Sequence, residues 1–369
     1  MRMGKNEIKE ISWLIMFGIL FLTPFITFPV IKKISGSHTE TRENVEFPKV
    51  SLKNYKEYPK LFEQWFEDTL PYKDILIRTN GKIAFWGFGE SASENVIVGK
   101  EGWLFYTETM SDYKRINLYT QKELEEICKK QKQLQDYYQS KGIEYILFVA
   151  PNKASIYGED YLPDYIYKED SVSRLEQLVE YIRRNSNITV VFPEEELLSV
   201  KEKYPEYSLY MHVDTHWNNL GGYCGAKALL KELGMKLPEI DEIHIEKNAN
   251  PVFTWNGWDL ANMMGLTGVL EEDTNYEISG FTDNIVVWDG DTVNSYDSFV
   301  TYCRTKSSDP VDRRKVIFIR DSFGTPMLPF IASQFREVYS PYVSFEVDLE
   351  EEKPDLVIYE LVERNFETK

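Results

Sequence analysis

The chain has 369 residues, 43% of them hydrophobic and 28% charged, with 60 Asp and Glu against 42 Lys and Arg and a formal net charge of −18. That balance excludes intrinsic disorder, and the acidic excess leaves no electrostatic footprint for a phosphate backbone, so nucleic acid is not an expected partner. The three cysteines, Cys128, Cys224 and Cys303, are odd in number and far apart. They allow one disulfide at most and exclude both a disulfide framework and a cysteine-rich zinc module.

Residues 1–10 read as a short cytoplasmic tail. From Ile11 to Ile31 the chain runs 21 residues without a charge, long enough at about 1.5 Å per residue to span a hydrocarbon core of about 30 Å. No small-residue cleavage site follows, so an uncleaved transmembrane anchor is expected rather than a signal peptide. Arg2, Lys5 and Lys9 precede the stretch and Lys32 and Lys33 follow it, an excess that places the N-terminus inside and the rest of the chain outside the cell membrane. Residues 32–50 are polar and aperiodic and read as a tether, with the folded domain covering 51–369.

Within 57–79, Leu61, Phe62, Trp65, Phe66 and Leu70 recur at helical spacing, which predicts one amphipathic helix with its aromatic stripe in the core. Residues 95–106 alternate and turn between Gly99 and Gly102, a hairpin pattern. An α/β rhythm follows: a helix over 122–142 stopped by Gly142, a buried strand over 143–151, a helix over 171–185 behind a serine cap, a strand over 188–193, a helix rich in acidic residues after Pro193, and a helix over 218–233. Residues 240–310 read as an irregular insertion. A strand over 315–324 then breaks into a turn, a helix follows from Thr325, and 353–365 is a last strand. Alternating helices and buried strands predict a largely parallel sheet covered on both faces.

Sites in such sheets gather at the carboxyl ends of strands. Arg320, Asp321, Ser322, Phe323 and Gly324 follow an apolar strand, which puts a serine hydroxyl on a strand-to-helix turn, where its own N–H and the next helix favour developing negative charge. The same pattern also fits an Asp or Ser that merely caps a helix. In Asp214-Thr215-His216-Trp217-Asn218, extended backbone would turn Asp214 and His216 to one side, a carboxylate to orient an imidazole that takes a serine proton. His216 also reads as a hydrogen-bonded core histidine, and Asn218 as a helix cap. With His212 the same stretch offers two imidazoles and a carboxylate, a non-haem iron or zinc set, although three such side chains on a straight strand are spread over about 13 Å. The 8 Trp, 24 Tyr and 21 Phe exceed what a core of this size obviously needs and suit stacking on sugar rings.

GKEGWLFY at 99–106, DTHWNNLGG at 214–222, RDSFG at 320–324 and PDLVIYELVERN at 354–365, in that order behind an apolar stretch, resemble the SGNH-hydrolase-like alginate O-acetyltransferase family of the AlgX/AlgJ type. The resemblance implies a flavodoxin-like three-layer α/β sandwich and a catalytic triad of Asp214, His216 and Ser322. It further implies acetyl transfer to an extracytoplasmic polysaccharide, with acetyl delivered by a membrane-bound O-acyltransferase-type protein and with no cofactor and no metal. Arg320 departs from the family's glycine before Asp321. Trp217, Arg320, Asp321, Glu360, Arg364 and Asn365 are candidates for lining the substrate or the oxyanion hole, the last strand resembling the block that supplies an oxyanion asparagine. Glu360 and Arg364, four apart, fit a structural ion pair equally well. An acetylesterase with the same triad, and a polysaccharide-binding or assembly protein, are the alternatives.

Overall fold

A computed structural model describes residues 54–69, 73–247, 258–270, 274–290 and 302–366, together with 11–19, 22, 23, 27 and 47–50. The chain divides into two compact units, 1–80 and 81–369. Residues 11–19 are helical. Most of the remainder of the expected anchor, and of the tether after it, lies outside the described residues. Among the described residues no helix is long and apolar enough to cross a membrane.

Within the stretch expected to be one helix over 57–79, helices α1, Tyr58–Thr69, and α2, Lys73–Lys82, are described, and residues 70–72 lie outside the described residues. The aromatic stripe of α1 is not core: Phe62 is 40% exposed, and Leu61, Trp65 and Phe66 are only half-buried. These rings pack on one another instead, Phe47 meeting Trp65 edge-on at 4.7 Å.

The second unit opens with the expected hairpin, β1 (Val96–Val98) against β2 (Leu104–Tyr106). Its turn places Glu101 and Gly102 in the left-handed region, at φ 55° and 82°. Helix α3 (Gln121–Ser140) starts on a capping box built by Thr120 and Glu123 and stops before Gly142 at φ 75°. Then follow β3 (Glu144–Ala150), α4 (Lys153–Tyr161), α5 (Arg174–Asn185) behind its Ser173 cap, β4 (Thr189–Val191), α6 (Glu194–Lys203) and α7 (Asn219–Glu232) capped by Asn218. The stretch expected to be an irregular insertion contains β5 (Ile245–Lys247), α8 (Asp259–Met263), β6 (Tyr276–Ile278), β7 (Ile285–Gly290) and β8 (Tyr302–Ser307). The chain finishes with β9 (Asp312–Ile319), α9 (Leu328–Gln334), β10 (Phe335–Pro341) and β11 (Leu356–Val362).

Seven strands form the main sheet in the order β4-β3-β11-β9-β10-β8-β7. The expected largely parallel sheet is mixed. Strands β4, β3, β11, β9 and β10 pair in parallel, whereas β8 runs antiparallel to β10 and β7 antiparallel to β8. Two strands from the supposed insertion thus complete one edge, where an antiparallel pair needs only one covered face. The central strands are apolar on both faces. Ile146, Phe148 and Ala150 of β3 join one core with Val316 and Phe318 of β9, and Tyr145, Leu147 and Val149 join the other with Ile317 and Ile319, the period-two alternation of a sheet covered by helices on each side.

Helix α7 lies close enough to its neighbours that a side chain is excluded at several positions. A Cβ on Gly222 would fall 2.7 Å from the Pro326 backbone, just beyond the Ser322 turn, and one on Gly225 would fall 2.7 Å from the Trp217 ring. Alanine ordinarily favours a helix interior over glycine by about 1 kcal/mol. Here Gly222→Ala is expected to destabilise the domain by about 1–3 kcal/mol, the range for overpacking a filled core, read as a lowered urea midpoint at unchanged slope.

Candidate active site

Three strands end at one place. Ser322 follows β9, Arg364 and Asn365 follow β11, and Asn152 and Lys153 follow β3, at the carboxyl edge where an open α/β sheet leaves a crevice. Two carboxylates shape the turn that presents Ser322. Asp321 Oδ1 accepts the Phe323 N–H at 2.8 Å, and its Oδ2 accepts the Val362 N–H at 2.9 Å and Asn365 Nδ2 at 3.3 Å. Glu360 Oε2 accepts the Asp321 N–H at 3.0 Å from a fully buried position on β11. Burial, with the Asp321 charge beside it, raises Glu360 well above the ordinary carboxylic range.

Arg320 turns away from the site. Its guanidinium is buried, donating to Ser340 Oγ at 3.1 Å and Thr325 Oγ1 at 2.8 Å. A Cβ on Gly324 would meet the Arg320 Cβ at 2.5 Å, so the arginine is accommodated by a glycine four residues on. Asp321, Glu360 and Arg320 therefore support the Ser322 turn, and among the described residues Glu360 and Arg364 form no ion pair. Asn365 braces Asp321. Trp217 is also a support: it is fully buried and donates its indole N–H to the Phe323 carbonyl at 2.8 Å.

Asp214 and His216 do not lie on a strand. The chain pairs Tyr210 with Trp217, and Met211 N–H donates to the His216 carbonyl at 3.1 Å, while 212–215 bend between them. The bend folds the Asp214 carboxylate onto His216: Oδ1 accepts the His216 backbone N–H at 2.9 Å and lies 2.6 Å from Nδ1. Across the ring, Nε2 lies 2.8 Å from Ser322 Oγ. Three residues spread over more than a hundred positions thus form one hydrogen-bonded series, with Asp214 buried and His216 and Ser322 half-buried. A base holding Nδ1–H toward a carboxylate keeps Nε2 free to accept a hydroxyl proton.

Asp259 at the start of α8 is a further carboxylate that sequence reading missed. Its N–H donates to Asp214 Oδ2 at 2.8 Å, its Oδ1 accepts the Thr215 N–H at 2.7 Å, and its Oδ2 accepts the Thr215 hydroxyl and lies 3.8 Å from His216 Nδ1. Forty-five residues of separation and a common residue type gave no signal. Asp214, His216 and Asp259 are the described residues whose ligand atoms cluster closely enough for a metal. His212 is not among them; its ring lies 4.2 Å from the Trp103 ring. The clustered oxygens already accept hydrogen bonds from backbone, hydroxyl and imidazole donors, which suits carboxylates that orient a histidine.

Burial acts to raise Asp214, but the His216 charge, the ring bond and the Asp259 and His216 N–H groups outweigh it and hold the carboxyl below the ordinary carboxylate range. Burial likewise acts to lower His216, and the Asp214 charge and bond more than reverse that, so the imidazole titrates above its ordinary value. Asp259 is pushed up to about 6 by burial and by the Asp214 charge. Arg364 carries positive charge to the same place. Its guanidinium sits 5.0 Å from the Phe323 ring centre and reaches Asn152 Oδ1 and Thr215 Oγ1, each at 3.4 Å. Asp259→Asn keeps an acceptor for Thr215 and removes an anion beside Nδ1. The His216 midpoint in an NMR titration should therefore fall, and an unchanged or raised midpoint would show that Asp259 does not support the imidazolium.

Residues 96–277 match the family model described as SGNH hydrolase-like domain, acetyltransferase AlgX. A curated relative, Probable alginate O-acetylase AlgJ of Pseudomonas aeruginosa, is 23% identical over 184 residues, covering 50% of this chain and 42% of that protein, so less than half of the relative's length is represented. Among solved structures, a DHHW family protein from Eubacterium siraeum has a TM-score of 0.51 at 14% identity, covering 73% of this chain and 91% of its own. Bacillus cereus PatB1 also has a TM-score of 0.51 at 14% identity, covering 73% of this chain and 96% of its own. These two likenesses speak for the fold, and the matched stretch contains Asp214, His216 and Asp259. Residues 96–277 thus form a domain of the AlgX/AlgJ type, SGNH-hydrolase-like acetyltransferases by likeness.

Proposed function

We propose that the domain transfers acetyl groups onto a polysaccharide outside the cytoplasm through an acetyl-Ser322 intermediate. The supporting observation is the unbroken series from Ser322 Oγ to His216 Nε2 at 2.8 Å and from Nδ1 to Asp214 at 2.6 Å, in a domain of AlgX type. In the first half-reaction Ser322 Oγ attacks the acetyl carbonyl and its proton passes to Nε2. Collapse of the tetrahedral species expels the donor's oxygen, which takes that proton. In the second half, a sugar hydroxyl gives its proton to Nε2 and attacks the acetyl carbon, and Ser322 Oγ leaves as the tetrahedral species collapses, taking that proton back from Nε2.

Asp214 keeps Nδ1 protonated and supports the imidazolium that forms twice per cycle. With the Asp321 and Phe323 N–H groups committed to Glu360 and Asp321, the Ser322 N–H is the turn's donor for the oxyanion. Arg364 lines the same crevice and adds positive charge where the oxyanion develops.

The membrane reading belongs to the same proposal. The 21 uncharged residues from Ile11 to Ile31 anchor the chain in the cell membrane with the domain outside, beside a membrane-bound O-acyltransferase-type protein that supplies acetyl. A serine enzyme on that side needs no free acetyl-CoA.

The full-length chain, incubated with a chromogenic acetyl ester and candidate oligosaccharides, should yield acetylated sugar and a Ser322 peptide heavier by one acetyl group. Ser322→Ala should lower turnover by at least about 10³-fold while remaining folded. Turnover to free acetate regardless of added sugar would make the domain an esterase, and near-normal turnover in a folded Ser322→Ala protein would remove this serine from the reaction.

Expressed in a bacterium, the chain should fractionate with membranes, resist high-salt washing and dissolve in detergent, since burial of apolar residues is indifferent to charge screening. Protease added to intact protoplasts should digest the domain. Protection would place the domain on the cytoplasmic side.

A further inference from the structure

Lys153 is buried at the first position of α4, directly after β3. Its Nζ donates to three backbone carbonyls: Met211 at 3.0 Å, His212 at 3.1 Å and Asp214 at 2.7 Å. The Trp103 and Phe105 rings face the same ammonium at 5.5 and 5.2 Å. The remaining carbonyl of the bend, that of Val213, accepts the Ala261 N–H at 3.1 Å.

In a strand successive carbonyls point to alternate sides and are met by a neighbouring strand. Here three of four consecutive carbonyls converge on one point, which no strand could satisfy. Left inside the protein without donors, they would unfold the bend rather than stay unpaired. An ammonium has three N–H donors around a compact centre, matching three convergent acceptors, whereas a guanidinium spreads its donors in a flat fork. The same bend turns the Asp214 carboxylate back onto the His216 N–H and Nδ1.

We propose that Lys153 is a positioning residue for the reaction: its ammonium takes the place of a partner strand and fixes the bend that aims Asp214 and His216 at Ser322. The proposal rests on the reading that these three residues carry the chemistry. Lys153 lies outside that series and acts through the 211–214 backbone. Its removal should therefore weaken catalysis and leave affinity for the acetyl donor alone.

The test compares full-length wild type with Lys153→Met, which keeps the stem and removes the charge, and with Lys153→Arg, which keeps the charge in the wrong shape. Each is assayed for kcat and KM with a chromogenic acetyl ester. The downfield proton resonance of His216 Nδ1–H, assigned by its loss in a His216→Gln control, reports the bond to Asp214 independently of turnover. In folded Lys153→Met, kcat should fall by about 10²-fold, the scale for displacing a catalytic group by about 1 Å. KM should stay within about threefold, and the resonance should move or vanish. Lys153→Arg should recover neither fully. A folded Met variant with wild-type kcat and resonance overturns the proposal. If the Met variant does not fold, wild-type kcat and resonance in Lys153→Arg overturn it instead. Should wild type itself turn over no ester, the acetyltransferase reading fails, and the resonance alone still decides the role of Lys153.

Discussion

The carboxylate of Asp321 carries the β9–β11 pairing past its last paired residues, Ile319 and Tyr359, by tying the Ser322 turn to the end of β11. One oxygen takes the Phe323 N–H of its own turn, and the other takes the Val362 N–H at the end of β11 and the Asn365 amide. Because β11 lies between β3 and β9, fixing its end against the Ser322 turn also fixes Arg364 and the Asn152–Lys153 corner. The position of the serine hydroxyl is then a property of the sheet, with the buried Glu360 below it and the Gly222 helix face behind Pro326 leaving no room for drift. Preorganisation of this kind is what lets a fixed donor act on a developing charge without rearranging.

Opposite that rigid turn, the Asp214–His216 bend belongs to no sheet; Val213 packs in an apolar cluster, and polar groups meet the bend's backbone. Lys153 holds its carbonyls, Asp259 its Thr215 N–H and hydroxyl, and the Ala261 N–H its Val213 carbonyl. Two carboxylates within reach of one imidazole strengthen its hold on a proton, and Arg364 opposes them from the other side. In a chain with a net charge of −18, the Arg364 guanidinium sets a positive charge beside these carboxylates.

Much of this was legible in the residues. Ser322 was found because an apolar strand broke into a small-residue turn, and Asp214 and His216 because a carboxylate and an imidazole stood two apart. The two side chains do meet, through a bend rather than a strand, since both geometries bring positions i and i+2 together. Asp259 and Lys153 gave no signal. Their work is defined by backbone groups they meet across 44 and 61 residues, and a local pattern contains nothing about such partners. Trp217, Asp321 and Glu360 hydrogen-bond to the backbone of the Ser322 turn, because motif neighbours of a turn residue serve equally well as its supports. The aromatic stripe of α1 had correct helical periodicity, but periodicity states which residues share a face and not what that face meets. Strands β7 and β8 were hidden in a stretch rich in Gly, Asn and Asp, because edge strands do not need the apolar runs that mark β3, β9 and β11.

The order of the sheet carries a consequence for how the protein acquires its shape. The strands made early, β3 and β4, lie toward one edge, β7 and β8 form the other, and β11, the last in the chain, sits between β3 and β9. Until β11 is in place, the two halves of the sheet have no hydrogen-bonded connection to each other, and β3 and β9 each present an open, apolar strand. Assembly of the main sheet therefore waits for a segment some two hundred residues downstream of β3, a high-contact-order topology that closes late and slowly. Its unpaired strands are the surfaces a chaperone would have to shield until the last one arrives.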